Sequence, residues 1–156
     1  KAFPEAKYIV IKRNPLEVAA SIEEKIAKGN WYGVNDNKLR LLIEYAKSNN
    51  VETKDFLKTD FNKGLLEWRL SNIAISKFFN DSKKDFFSIN YSNLTLNPKE
   101  ILTEAFNFLE IKYNEEALIN CCKLVHKNLR NNENIKNNIQ NNQKEFLISE
   151  GFIQEK

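Results

Sequence analysis

The stretch Tyr8-Ile9-Val10-Ile11-Lys12-Arg13-Asn14-Pro15-Leu16-Glu17-Val18-Ala19-Ala20-Ser21 decides the fold. It opens with an apolar run from Tyr8 to Ile11 in which three residues are β-branched, the pattern of a parallel strand covered on both faces rather than of a half-exposed strand. Asn14 suits a helix cap, and Pro15 suits the first helical position, where a missing N–H costs nothing. The chain is thus expected to pass from strand to helix with Arg13 at the junction. A helix N-terminus presents unpaired N–H groups and a partial positive charge. A guanidinium beside it adds a planar fork of donors able to grip a phosphate in two places. The chemistry is that of a dianion site, and the plainer role for Arg13 is a surface salt bridge with Glu17 one turn on.

Working outward, a helix is expected from Pro15 to about Lys28, ended by Gly29-Asn30. Trp31-Tyr32-Gly33 reads as a mobile or partner-facing loop, and Leu39, Leu41, Leu42, Ile43 and Ala46 mark a second helix that Ser48-Asn49-Asn50 ends. Apolar residues recurring at three- to four-residue steps predict a long helix from Lys54 to about Phe79, weakened by Gly64. Within it, Trp68 and Asn72 share a face and could meet a base, although core packing is the plainer role of Trp68. A second strand follows over Asp85 to Tyr91, with Phe87, Ile89 and Tyr91 on one face. Asn97-Pro98 starts a helix through Leu109, and another is expected over Glu115 to Val125. Asn128 to Lys144 is polar and of doubtful order, and Glu145 to Ile148 reads as a short element docking back. Strands alternating with helices predict an α/β layered fold with a parallel sheet, helix-rich.

The 156 residues fit one domain, and 42% hydrophobic content with 12% aromatic fills a real core. A net charge of +3 is too weak and too evenly mixed for a nucleic-acid binder. No apolar run reaches the roughly 20 residues of a membrane span, and no signal-peptide pattern opens the chain, so a soluble, cytoplasmic protein is expected. Cys121 and Cys122 are adjacent and read as reduced packing residues, and nothing stands at metal-ligand spacing. His126 is the sole histidine and reads as a solvated or boundary side chain.

The segment from Phe3 onward, "FPEAKYIVIKRNPLEVAASI", resembles the 3′-phosphate-binding segment of the sulfotransferases that use 3′-phosphoadenosine 5′-phosphosulfate. That segment has an apolar strand, Arg-(Asp/Asn)-Pro and a small-residue helix with a serine at the spacing of Arg13 and Ser21. A second stretch, "INYSNLTLNPKEILTEAFNFLEIKYNEEAL", is similar to the family's Arg-Tyr-Glu-Asp-Leu region and the helix after it. Here Ser92-Asn93 replace the usual acidic pair. The resemblance implies a P-loop-NTPase-like α/β fold, of which this chain is the C-terminal half. It assigns Arg13 and Ser21 to the 3′-phosphate and Tyr91 to the adenine side. Arg130, in a segment without the family's proline, it assigns to the 3′-phosphate again.

The implied ligand is 3′-phosphoadenosine 5′-phosphosulfate or adenosine 3′,5′-bisphosphate, and the implied reaction is sulfuryl transfer to a hydroxyl or amine acceptor. No Gly-rich loop with Lys-Ser/Thr occurs, and there is no methionine, so the chain reads as a fragment whose catalytic base and phosphate-loop lysine precede Lys1. Residues 1–127 are expected to form the partial sulfotransferase-like domain, with 128–156 an Asn-rich polar tail. The alternative is a non-catalytic nucleotide- or partner-binding module lacking the phosphate loop.

Overall fold

The computed structural model describes residues 5–29, 31–125 and 141–154. Along the chain these form β1 (Tyr8–Lys12), α1 (Pro15–Ala27), a 3₁₀ turn (Val34–Asp36), α2 (Asn37–Ser48) and α3 (Asp60–Ser82). There follow β2 (Phe86–Asn90), α4 (Tyr91–Leu96), α5 (Pro98–Leu109), α6 (Glu115–Leu124) and α7 (Asn141–Ser149). The fold is mixed α/β and helix-rich with a parallel sheet, as expected. The described residues fall into two compact units, one holding 5–13 and 78–125, the other 14–29, 31–77 and 141–154.

In the sheet unit β1 and β2 run parallel, in register from Tyr8↔Phe86 to Lys12↔Asn90. Val10 and Ile89 are buried, while Ile9, Ile11 and Phe86 stay exposed. Tyr8 meets Phe78 and Phe79 edge-on at centroid distances of 5.2 and 5.5 Å. Phe87 stacks on Phe108 of α5 at 5.8 Å, which holds that helix to β2. The Lys7 ammonium donates to the Phe108 carbonyl at 3.0 Å and pairs with Glu110 at 2.8 Å, fastening the chain before β1 to the end of α5. That bond and that charge hold the Glu110 carboxyl below the usual carboxylate range. α6 in turn packs on α5.

The helical unit has a continuous core of Leu16, Ala19, Ala46, Val51, Phe56, Phe61, Leu65, Leu66, Leu70 and Leu147. At Gly64 of α3 an added Cβ would stand 2.8 Å from the Ala19 Cα of α1. Gly64 therefore does more than weaken a helix: it lets two backbones touch.

The long helix begins at Asp60 rather than at Lys54. The Thr59 hydroxyl accepts from the Asn62 N–H at 3.0 Å, as an N-cap does, and the Asn62 amide donates back to the Asp55 carbonyl at 3.0 Å, so residues 54–59 turn rather than wind. The short terminal element is α7. Its Leu147 is fully buried, its Phe146 meets Phe56 edge-on at 4.9 Å, and Glu150 just beyond it pairs with Arg69.

Candidate functional site

The register of the two strands determines what lies beside Arg13. Lys12 pairs with Asn90 at the carboxyl end of both strands, so the next residues, Arg13 and Tyr91, emerge side by side. The Arg13 guanidinium carbon stands 4.8 Å from the centre of the Tyr91 ring, over its face. Two of the expected site residues are therefore together, through a cation–π contact that the sequence pattern did not foretell.

Tyr91 itself is not the last residue of a strand, as expected, but the first of α4. The cause is Asn90, whose side-chain oxygen accepts from the Ser92 N–H at 2.9 Å and the Asn93 N–H at 3.3 Å, ending the strand and capping a helical turn. The Thr95 hydroxyl, which is buried, donates to the Ser92 carbonyl at 2.9 Å and closes that turn.

The α1 end of the decisive stretch forms as its sequence requires. The Asn14 side chain accepts from the Leu16 N–H at 2.9 Å, the Asn14 carbonyl accepts from the Val18 N–H at 3.1 Å, and Pro15 fills the first turn. Glu17 places an acid in that turn, where the helix dipole favours it, and its side chain is buried. Ser21 lies half-buried further along the same helix. Arg130 and His126 lie outside the described residues, as do residues 128–140 of the polar stretch.

The aromatic loop after α1 departs from its expected character as a mobile or partner-facing segment. The Trp31 indole N–H donates to one Glu67 carboxylate oxygen at 3.0 Å and the Lys38 ammonium to the other at 2.5 Å. Lys25 and Lys38 both stand over the Trp31 ring, at 4.3 and 4.1 Å. Tyr32 is 4% exposed, its hydroxyl makes no hydrogen bond, and burial, then the charges of Glu67, Asp60 and Asp36, push its phenol well above the ordinary range. Gly33, Asn35 and Asp36 take left-handed φ values of 78°, 53° and 54°, which set the turn into α2. Glu67 carries no signal of this in the sequence, being one more acid on an amphipathic helix 36 residues from Trp31.

Trp68 packs edge-on against Phe152 at 5.7 Å, and Asn72 donates to the Trp68 carbonyl at 2.8 Å, so the pair serves packing and backbone satisfaction. A surface groove between α5 and α6, lined by Leu96, Pro98, Lys99, Ile119, Cys122 and Lys123, contains none of the expected site residues. Cys121 and Cys122 are half-buried free thiols.

Among the described residues no helix is long and apolar enough to cross a membrane. No curated protein and no solved structure matches the chain. The family model that does match, described as Sulfotransferase domain, spans residues 2–154, nearly the whole sequence, and includes both the Arg13 junction and the Tyr91 turn. The chain thus belongs to the sulfotransferase domain family, whose members are transferases of sulfuryl groups.

Proposed function

We propose that this protein acts with 3′-phosphoadenosine 5′-phosphosulfate, Arg13 and Ser21 holding the 3′-phosphate, Tyr91 flanking the base and Arg130 adding charge to the same phosphate. The observation that carries the reading is a guanidinium at the carboxyl end of a parallel strand, followed directly by a capped helix. In open α/β sheets ligands gather at that end, and the N–H groups of a guanidinium are a donor set for an oxyanion. The donor set fits a nucleotide that carries an additional phosphate on its ribose.

When bound, the nucleotide supplies the sulfuryl group, and the acceptor is a hydroxyl or an amine. The chain's own part is to fix the donor by its ribose end, so that transfer begins from an oriented complex rather than a bimolecular encounter.

Calorimetric titration with adenosine 3′,5′-bisphosphate and with adenosine 5′-monophosphate tests the reading. The expected result is a preference for the bisphosphate that Arg13→Ala reduces by about ten- to a hundredfold, the span of a charge-assisted hydrogen-bond pair. Equal affinity for the two nucleotides in the unaltered protein would overturn the reading and favour a module without the donor site.

A further inference from the structure

Arg13 and Tyr91 meet at the carboxyl ends of two strands whose pairing is in register up to Lys12↔Asn90. We infer that the Tyr91 ring is a positioning element for Arg13, setting the guanidinium against the carboxyl end of β1 so that its charge is aimed where the 3′-phosphate binds. The inference rests on the 3′-phosphate reading of Arg13 and deepens it.

An arginine side chain has four rotatable bonds and keeps its charge in water by extending away from the surface. A ring face within 4.8 Å of the guanidinium carbon selects among those rotamers, since cations are drawn to the negative face of an aromatic ring. The attraction is to the charge as a whole and does not itself use an N–H donor. Pre-organisation of this kind lowers the entropy lost when an anion arrives.

The backbone that carries the ring is itself held. Asn90 caps the turn from which Tyr91 projects, and Thr95 closes it, so the backbone of Tyr91 is held on both sides. The hydroxyl of Tyr91 has no part in holding the charge, which separates this role from a polar contact to a base.

Ligand selectivity distinguishes the two roles. Flanking the adenine affects adenosine 3′,5′-bisphosphate and adenosine 5′-monophosphate alike, whereas holding Arg13 affects only the ligand that carries the 3′-phosphate. Tyr91→Leu is expected to lower the ratio of the two affinities about fivefold or more, the reach of a cation–π contact, and Tyr91→Phe to retain it.

An equal loss on both nucleotides in Tyr91→Leu, or loss of the ratio in Tyr91→Phe, would overturn the inference while the 3′-phosphate reading stands. No preference in the unaltered protein would remove that reading itself, and with it the anion Arg13 is held to meet. An NMR measurement needs no variant to fold: the Arg13 δ-protons are expected upfield-shifted by the ring current in the unaltered protein. Unshifted values would overturn the contact outright.

Discussion

The two compact units of this chain spend their apolar residues differently. The helical unit gathers ten buried side chains into one cluster, with Leu65, Leu66 and Leu147 fully inaccessible. The sheet unit buries Val10, Ile89, Ala105 and Leu118, yet leaves Ile9, Ile11, Phe86, Ile111, Ile119 and Leu124 open to water. Burial is worth about 25 cal/mol per Å² of apolar surface, so the stability of the chain is concentrated in the helical unit. The residues of the phosphate reading that carry the cation–π contact, Arg13 and Tyr91, lie instead in the sheet unit. The buried cluster and the contact of Arg13 with Tyr91 are thereby separable by mutation.

The strongest challenge to that contrast is Leu66→Ala. Truncation of a fully buried leucine is expected to cost about 2–5 kcal/mol, read from a shift in the denaturant midpoint at constant slope. A loss under about 1 kcal/mol would show that the cluster is not a tight core. Gly64→Ala comes next. The new methyl would press on the Ala19 backbone, which has no flexible end to give way, and the expected cost is about 1–3 kcal/mol despite alanine's better helix propensity.

Tyr32→Phe sharpens the picture at the loop. The hydroxyl it removes has no partner, so stability at neutral pH should hold or rise by up to about 1 kcal/mol. The sign of the pH effect follows from the raised phenol. The folded state keeps the proton where the unfolded chain, with an ordinary pKa of 10.0, gives it up. Stability from this group is therefore intact below that pH and drains away as pH rises toward the folded value. The stability of Tyr32→Phe, read by denaturation, should fall less steeply above pH 10.0 than that of the unaltered protein, and parallel curves would contradict it.

The smallest effect is expected at Ile11→Ala in the sheet unit. With the side chain 57% exposed, its loss should stay within about 0.5 kcal/mol by thermal melting. A cost comparable to that of Leu66→Ala would mean that the exposed face of the strand is covered in solution.

How much of this was legible in the sequence depended on how local the cause was. β1, the Asn14 cap, the start of α1 and α5 from Pro98 to Leu109 were all written in contiguous residues, and they formed within a residue or two of expectation. The start of α3 was not, because Thr59 and Asn62 settle it against an apolar period that runs on through Leu57. Tyr91 looked like strand for the same reason, its ring continuing the alternation of Phe87 and Ile89 while Asn90 had already turned the backbone.

The role of Gly64 was hidden because propensity describes one helix, whereas the glycine answers to another. The fastening of Trp31 to Glu67 lay beyond reach altogether, since two residues so distant in sequence meet only once α3 is packed. Arg13 and Tyr91 were each named from the sequence, but their meeting was not: the ring stands beside the guanidinium through strand pairing rather than through any motif.

That pairing acts as a ruler. Because the strands advance in the same direction, what stands next to Arg13 is counted off from Tyr8↔Phe86 rather than chosen locally. One residue inserted among Phe86–Asn90 would bring Asn90 to the place of the aromatic ring and leave the cation without its platform, although every side chain of the site would still be present in the chain. The spacing within this five-residue strand thus sets the contact of Arg13 with Tyr91 as much as the two side chains do.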